Sequence, residues 1–208
     1  MSNHIHSYLA LGDSYTIGES LPIFESFPYQ VVQMLRKKNM LFHAAEIVAK
    51  TGWTTFELAE HLIHTQLNQQ YDFVTLLIGV NNQYRGLSAK DYEADFEFLL
   101  KKAVHLAGDK ADHVIVLSIP DWGATPFAEG RDKEKIASEI DAFNSINERI
   151  SKLYSCQYIN ITPGTREAAN DASLVAADKL HPSAKEYERW AAQVAEVVEG
   201  RLVYKLIS

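Results

Sequence analysis

DFVTLLIGVNN, residues 72–82, is a near-continuous apolar run that stops at a glycine, a valine and two asparagines. Successive side chains of a β-strand point to opposite faces. This run puts Phe73 and Leu77 on one face and Val74, Leu76 and Ile78 on the other, so both faces are meant for a core. Strands of that kind belong to parallel sheets covered on each side by helices.

The segments around it repeat the pattern. SYLALGDS (7–14) and HVIVLSIPDW (113–122) read as buried strands, and HAAEIVAKTG (43–52) and CQYINIT (156–162) as weaker ones. Helical spacing fills the gaps: residues 27–39; 54–67, with Phe56, Ala59, Leu62, Ile63 and Leu67 on one face; and 88–107, with Tyr92, Phe96, Leu99, Leu100 and Ala103. A long helix follows over 132–153, with Ile136, Ile140, Phe143, Ile146, Ile150 and Leu153 in register. The last spans 183–200, where Ser183 and Glu186 have capping-box spacing and Gly200 marks a stop. Strands alternating with helices predict a three-layer α/β/α fold with a five-stranded parallel sheet in flavodoxin-like order. Its ligand site is expected outside the carboxyl ends of the strands. With no repeat, linker or low-complexity stretch, residues 1–208 read as a single domain.

Composition narrows the function classes. The chain has 208 residues and a formal net charge of −7, which offers no electrostatic footprint for nucleic acid or an anionic membrane. No apolar run reaches bilayer length. The start, MSNHIHSYLA, has no basic stretch followed by a long apolar one, so a cytoplasmic protein is expected. One cysteine, Cys156, excludes an intramolecular disulfide and reads as a buried, inert thiol. Oligomeric state is not encoded in these features.

Four polar clusters fall where the strands end. Ser14, in GDSY, is either a nucleophile needing a base or a turn and cap serine. Asp178 and His181, in DKLHP, sit three apart in a loop before the last helix, where one carboxylate can hold imidazole Nδ1–H and turn Nε2 outward. Asn81, in GVNN, is either an oxyanion donor or a turn residue, and Gly52, in TGWT, either donates a backbone N–H or merely turns the chain. His61 and His64 have helical spacing but no accompanying third ligand, so no metal site is expected there. His4, His6, His43, His105 and His113 read as surface residues. Trp122, Pro126 and Phe127, and separately Ile23, Phe24, Phe27 and Tyr29, are apolar stripes that serve either as local packing or as a substrate wall; Trp122, Phe127 and Phe24 are the candidates for substrate contact.

In their order along the chain, GDSY, TGWT, GVNN and DKLHP resemble the four blocks of the SGNH (GDSL-type) hydrolase family, over nearly the whole sequence. The resemblance implies ester hydrolysis through an acyl-enzyme, with Ser14 as nucleophile, His181 as base and then acid, and Asp178 orienting His181. It implies an oxyanion hole made of the Ser14 and Gly52 N–H groups and the Asn81 side chain, a small-molecule ester as substrate, and no metal or organic cofactor. GDSY stands for the commoner GDSL. Asn82 stands where members often carry Asp, which leaves open how the turn bearing Asn81 is braced. A thioesterase or acyltransferase with the same triad is the alternative within enzymes. A flavodoxin-like ligand-binding domain is the alternative outside them, since GDSYTIGES has some of the composition of a phosphate-cradling loop.

Overall fold

The computed structural model describes residues 4–204. Five strands, β1 (Tyr8–Asp13), β2 (Glu46–Lys50), β3 (Phe73–Leu77), β4 (Val114–Leu117) and β5 (Gln157–Ile159), form one parallel sheet in the order β2-β1-β3-β4-β5. That is the flavodoxin-like order. Leu11 on β1 lies opposite Val48 on one side and Leu76 on the other, so β1 and β3 are interior strands. Every residue of β1, β3 and β4 is buried, as a sheet covered on both faces requires. Burying each such Leu or Val side chain contributes about 1.5–3 kcal/mol.

Five longer helices make the outer layers: α2 (Phe27–Lys37), α3 (Thr55–His64), α5 (Ala89–Leu106), α6 (Lys133–Leu153) and α8 (Ala184–Tyr204). α2 and α8 pack on each other, and α5 packs between α3 and α6. Three short helices, α1 (Ser14–Ile17), α4 (Val80–Tyr84) and α7 (Thr162–Arg166), begin at or just after the carboxyl ends of β1, β3 and β5. No helix among the described residues is long and apolar enough to cross a membrane.

Several details depart from the sequence pattern. On α3 the buried residues are Thr55, Leu58 and Leu62, whereas Phe56 and Ile63 are 62% and 66% exposed. The register is set by Thr54, whose hydroxyl accepts from the Glu57 N–H while the Glu57 carboxylate accepts from the Thr54 N–H. Leu153, the last residue of α6, is also exposed. α8 runs through Gly200 to Tyr204. Its Ser183 accepts from the Glu186 N–H, but the Glu186 carboxylate turns inward to accept from Trp190 Nε1, so only half of the capping box forms. His113 is buried, its ring stacked 4.5 Å from that of Phe73, with Nδ1 2.6 Å from the Asp72 carbonyl oxygen.

Candidate active site

Asp13 closes β1 and caps α1, its carboxylate accepting from the Tyr15 N–H at 3.0 Å. Ser14 is therefore not the cap residue; it starts the helix, at the end of an interior strand. Its Oγ lies 2.9 Å from His181 Nε2. His181 Nδ1 lies 2.6 Å from Asp178 Oδ2. A carboxylate only accepts, so Nδ1 carries the proton and Nε2 is left to accept from the Ser14 hydroxyl. Ser14, at the start of α1, and His181, in the loop before α8, are 167 positions apart, Asp178 is three before His181, and both Ser14 and His181 are buried.

The loop before α8 is shaped to hold this pair. Asp178 Oδ1 accepts the N–H groups of Leu180 and His181 at 2.9 and 3.0 Å. Oδ2 accepts, besides the imidazole, the Ser20 hydroxyl at 2.7 Å. Partial burial pushes the Asp178 carboxyl up, but the donors His181, Ser20 and the two backbone N–H groups outweigh it and bring it down to about 2. Asp13 shows the opposite balance. Complete burial dominates over the bonds from Tyr15 and Asn81 and pushes its carboxyl up to about 7.

Gly79 and Gly52 shape the other two loops. Gly79 has φ +131° and lies where a Cβ would meet the Tyr92 ring at 2.6 Å, so no other residue fits between β3 and α5. Gly52 has φ +82°, and its carbonyl accepts from Arg85 Nη2 at 2.5 Å. Asn81 Nδ2 donates to the Trp53 carbonyl at 3.0 Å and makes a longer contact, 3.4 Å, with Asp13 Oδ2. Asn82 supplies the brace that was in question. Its Oδ1 accepts from the Thr55 N–H at 3.0 Å and its Nδ2 donates to Thr55 Oγ1 at 2.8 Å, while that hydroxyl donates onward to Asp95. An amide can do both; a carboxylate here would have no hydrogen for Thr55 Oγ1.

Ser14, Gly52, Asn81 and His181 line one cleft of about 170 Å³. Its walls are Val80, Tyr84, Trp122, Phe127 and Leu180, with no Lys, Arg, Asp or Glu among the lining residues. The Tyr84, Trp122 and Phe127 rings cluster at 5.2 to 6.4 Å, and Trp122 Nε1 is satisfied by Gln83. Phe24 does not line this cleft; it lies on a short helical turn, 57% exposed. The sequence reading missed Tyr84, Leu180 and Ser20. Leu180 stands inside the DKLHP block itself and Tyr84 three residues after Asn81, so proximity to the blocks was an available signal. Ser20 had none, because its partner is 158 positions away.

A buried serine and histidine and a partly exposed aspartate stand in sequential contact beside an apolar cleft, at the carboxyl end of a parallel sheet. The model of the GDSL-like lipase/acylhydrolase family matches residues 10–189, and the chain belongs to that family, a class of carboxylic ester hydrolases. Among solved structures it is similar to TesA (TM-score 0.73, 16% identity, 93% of this chain and 98% of that one). It is also similar to Axe2, an acetylxylan esterase from Geobacillus stearothermophilus (0.73, 18%, 93% and 94%), and to the lipase/acylhydrolase from Enterococcus faecalis (0.70, 20%, 95% and 97%). At these identities the likeness shows the shared three-layer fold. No curated protein matches the chain.

Proposed function

We propose that the protein is a serine esterase in which Ser14 attacks the ester carbonyl and His181 takes its proton. The observation that carries this reading is the unbroken chain Ser14 Oγ–His181 Nε2 (2.9 Å) and His181 Nδ1–Asp178 Oδ2 (2.6 Å). A serine hydroxyl is a poor nucleophile without an adjacent base, and the base needs its tautomer held. As the C–O⁻ of the tetrahedral intermediate forms, the Ser14 and Gly52 N–H groups and Asn81 Nδ2 donate to it. The Trp53 carbonyl holds one Asn81 N–H, and the other, in its long contact with Asp13, turns to the oxyanion. The imidazolium then protonates the leaving alcohol, giving an acyl-enzyme. Water, activated by His181, attacks that ester and returns Ser14.

The cleft favours an uncharged substrate with a small or medium acyl group, because its walls are apolar and bear no ionic side chain. The test is hydrolysis of acetyl, butyryl and long-chain p-nitrophenyl esters, with a thioester alongside. Ser14→Ala is expected to abolish turnover while the folded circular dichroism spectrum persists. Substantial turnover by that variant would refute the assignment, and faster turnover of the thioester would move the substrate class.

A further inference from the structure

The end of the sheet opposite the cleft carries a second cluster of reactive side chains. His4 and His6 precede β1, and Asp72 precedes β3. We propose that these three residues bind a divalent transition-metal ion of the zinc type. His4 Nε2, His6 Nδ1 and an Asp72 carboxylate oxygen all lie within 4.8 Å of one another. Asp72 Oδ1 is 3.0 Å from His4 Nε2 and 3.5 Å from His6 Nδ1. Ligands held at about 2.0–2.1 Å in a tetrahedral zinc site stand about 3.3 Å from each other. Both measured edges are within a few tenths of an ångström of that spacing, so an ion can enter with small side-chain shifts.

The two histidines are two apart in the chain ahead of β1, and both rings reach the same Asp72 carboxylate. Their ring centroids are 4.6 Å apart. His6 is held in place by a parallel bridge to Phe42, with the His6 N–H donating to the Leu41 carbonyl at 2.7 Å and the His43 N–H to the His6 carbonyl at 2.8 Å. Asp72 is oriented in turn. Its Oδ2 accepts the Ser7 N–H at 2.8 Å and the Ser7 hydroxyl at 3.1 Å, which turns Oδ1 toward both imidazoles. A ligating carboxylate anchored by outer hydrogen bonds is the arrangement metal sites need. Imidazole and carboxylate together suit zinc and its neighbours better than calcium or magnesium, which prefer oxygen donors alone. His4 also contacts Oδ2 at 3.1 Å, so without metal the same residues form a hydrogen-bonded pair.

Such an ion would tie the segment ahead of β1 to the start of β3. It would stand more than the length of β1 from Ser14, about 26 Å for eight residues at the strand rise of about 3.3 Å, so it is structural and takes no part in ester hydrolysis. The experiment strips the full-length protein with a chelator and titrates it with Co²⁺, read by its visible absorption, and with Zn²⁺, read by calorimetry and by Tm. One equivalent is expected to bind, raising Tm and leaving ester turnover unchanged. His4→Ala, at an exposed position, is expected to weaken binding at least tenfold. Ser7→Ala is expected to weaken it by about 10–100-fold, the usual effect of losing an outer-shell partner. A His61→Ala/His64→Ala variant is expected to bind as the parent does. No binding by the parent, undiminished binding by His4→Ala, or loss of binding in the His61/His64 variant would each overturn the proposal.

Discussion

Ser20 holds a left-handed backbone, φ +67°, which costs a residue with a Cβ about 1–2 kcal/mol. The same conformation aims its hydroxyl at Asp178 Oδ2, the oxygen that also holds the imidazole. Ser20→Ala and Ser20→Gly both remove that donor, and glycine also relieves the backbone. The carboxylate, with one donor fewer, then holds the imidazolium more strongly. We expect kcat to fall about three- to tenfold, a part of the worth of a charge-assisted hydrogen bond. The acid limb of kcat/KM should move to higher pH in both variants. A glycine variant with an unchanged profile would show that only the backbone matters. Asn81→Ala tests the oxyanion role: kcat should drop about 10²–10³-fold with KM nearly constant. A change confined to KM would make Asn81 a binding residue instead.

Among the elements, the interior strands were the most legible, because burial on both faces leaves an apolar run of strand length bounded by turn residues. The four polar blocks were legible too, since each follows a strand or precedes the last helix. Helix faces were less so. Phe56 and Ile63 have helical spacing with Ala59 and Leu62, yet α3 buries Leu58 and Leu62 and turns those two large residues to solvent. The winning terms are polar: the Thr54/Glu57 cap and the clamp of Asn82 on Thr55 fix the rotation of α3, and spacing alone does not show them. Gly200 misled for a related reason. Glycine ends a helix only where a left-handed residue is needed, and α8 passes through it with helical geometry and open space around a Cβ. Gly200→Ala should therefore stabilise the protein by about 0.4–1 kcal/mol, read by urea unfolding, with ester turnover unchanged. A loss of stability would mean that the backbone at 200 is not helical.

Over the whole molecule, buried and paired carboxylates pull stability in opposite directions with pH. Asp178, held down to about 2 against roughly 3.9 in an unfolded chain, stabilises the fold above that range. Its contribution is lost as pH falls from about 4 toward 2. Asp13, pushed up to about 7 by burial, does the reverse. Between about pH 4 and pH 7 the unfolded chain ionises this group and the native chain keeps its proton, so stability falls as pH rises and the full penalty stands above 7. The site beside Ser14 thus places a carboxyl where it costs stability, and that carboxyl is the one in contact with Asn81. Asp13→Asn keeps the shape and removes the charge. Its Tm should be close to the parent's at pH 4 and exceed it increasingly toward pH 8, by about 2–4 °C for each kcal/mol relieved in a chain of this size. Above pH 7, where the native Asp13 is ionised, ester turnover should decline in the same variant, because Asn81 loses its anionic neighbour. A Tm difference that stays constant from pH 4 to pH 8 would show that Asp13 does not titrate in the native protein.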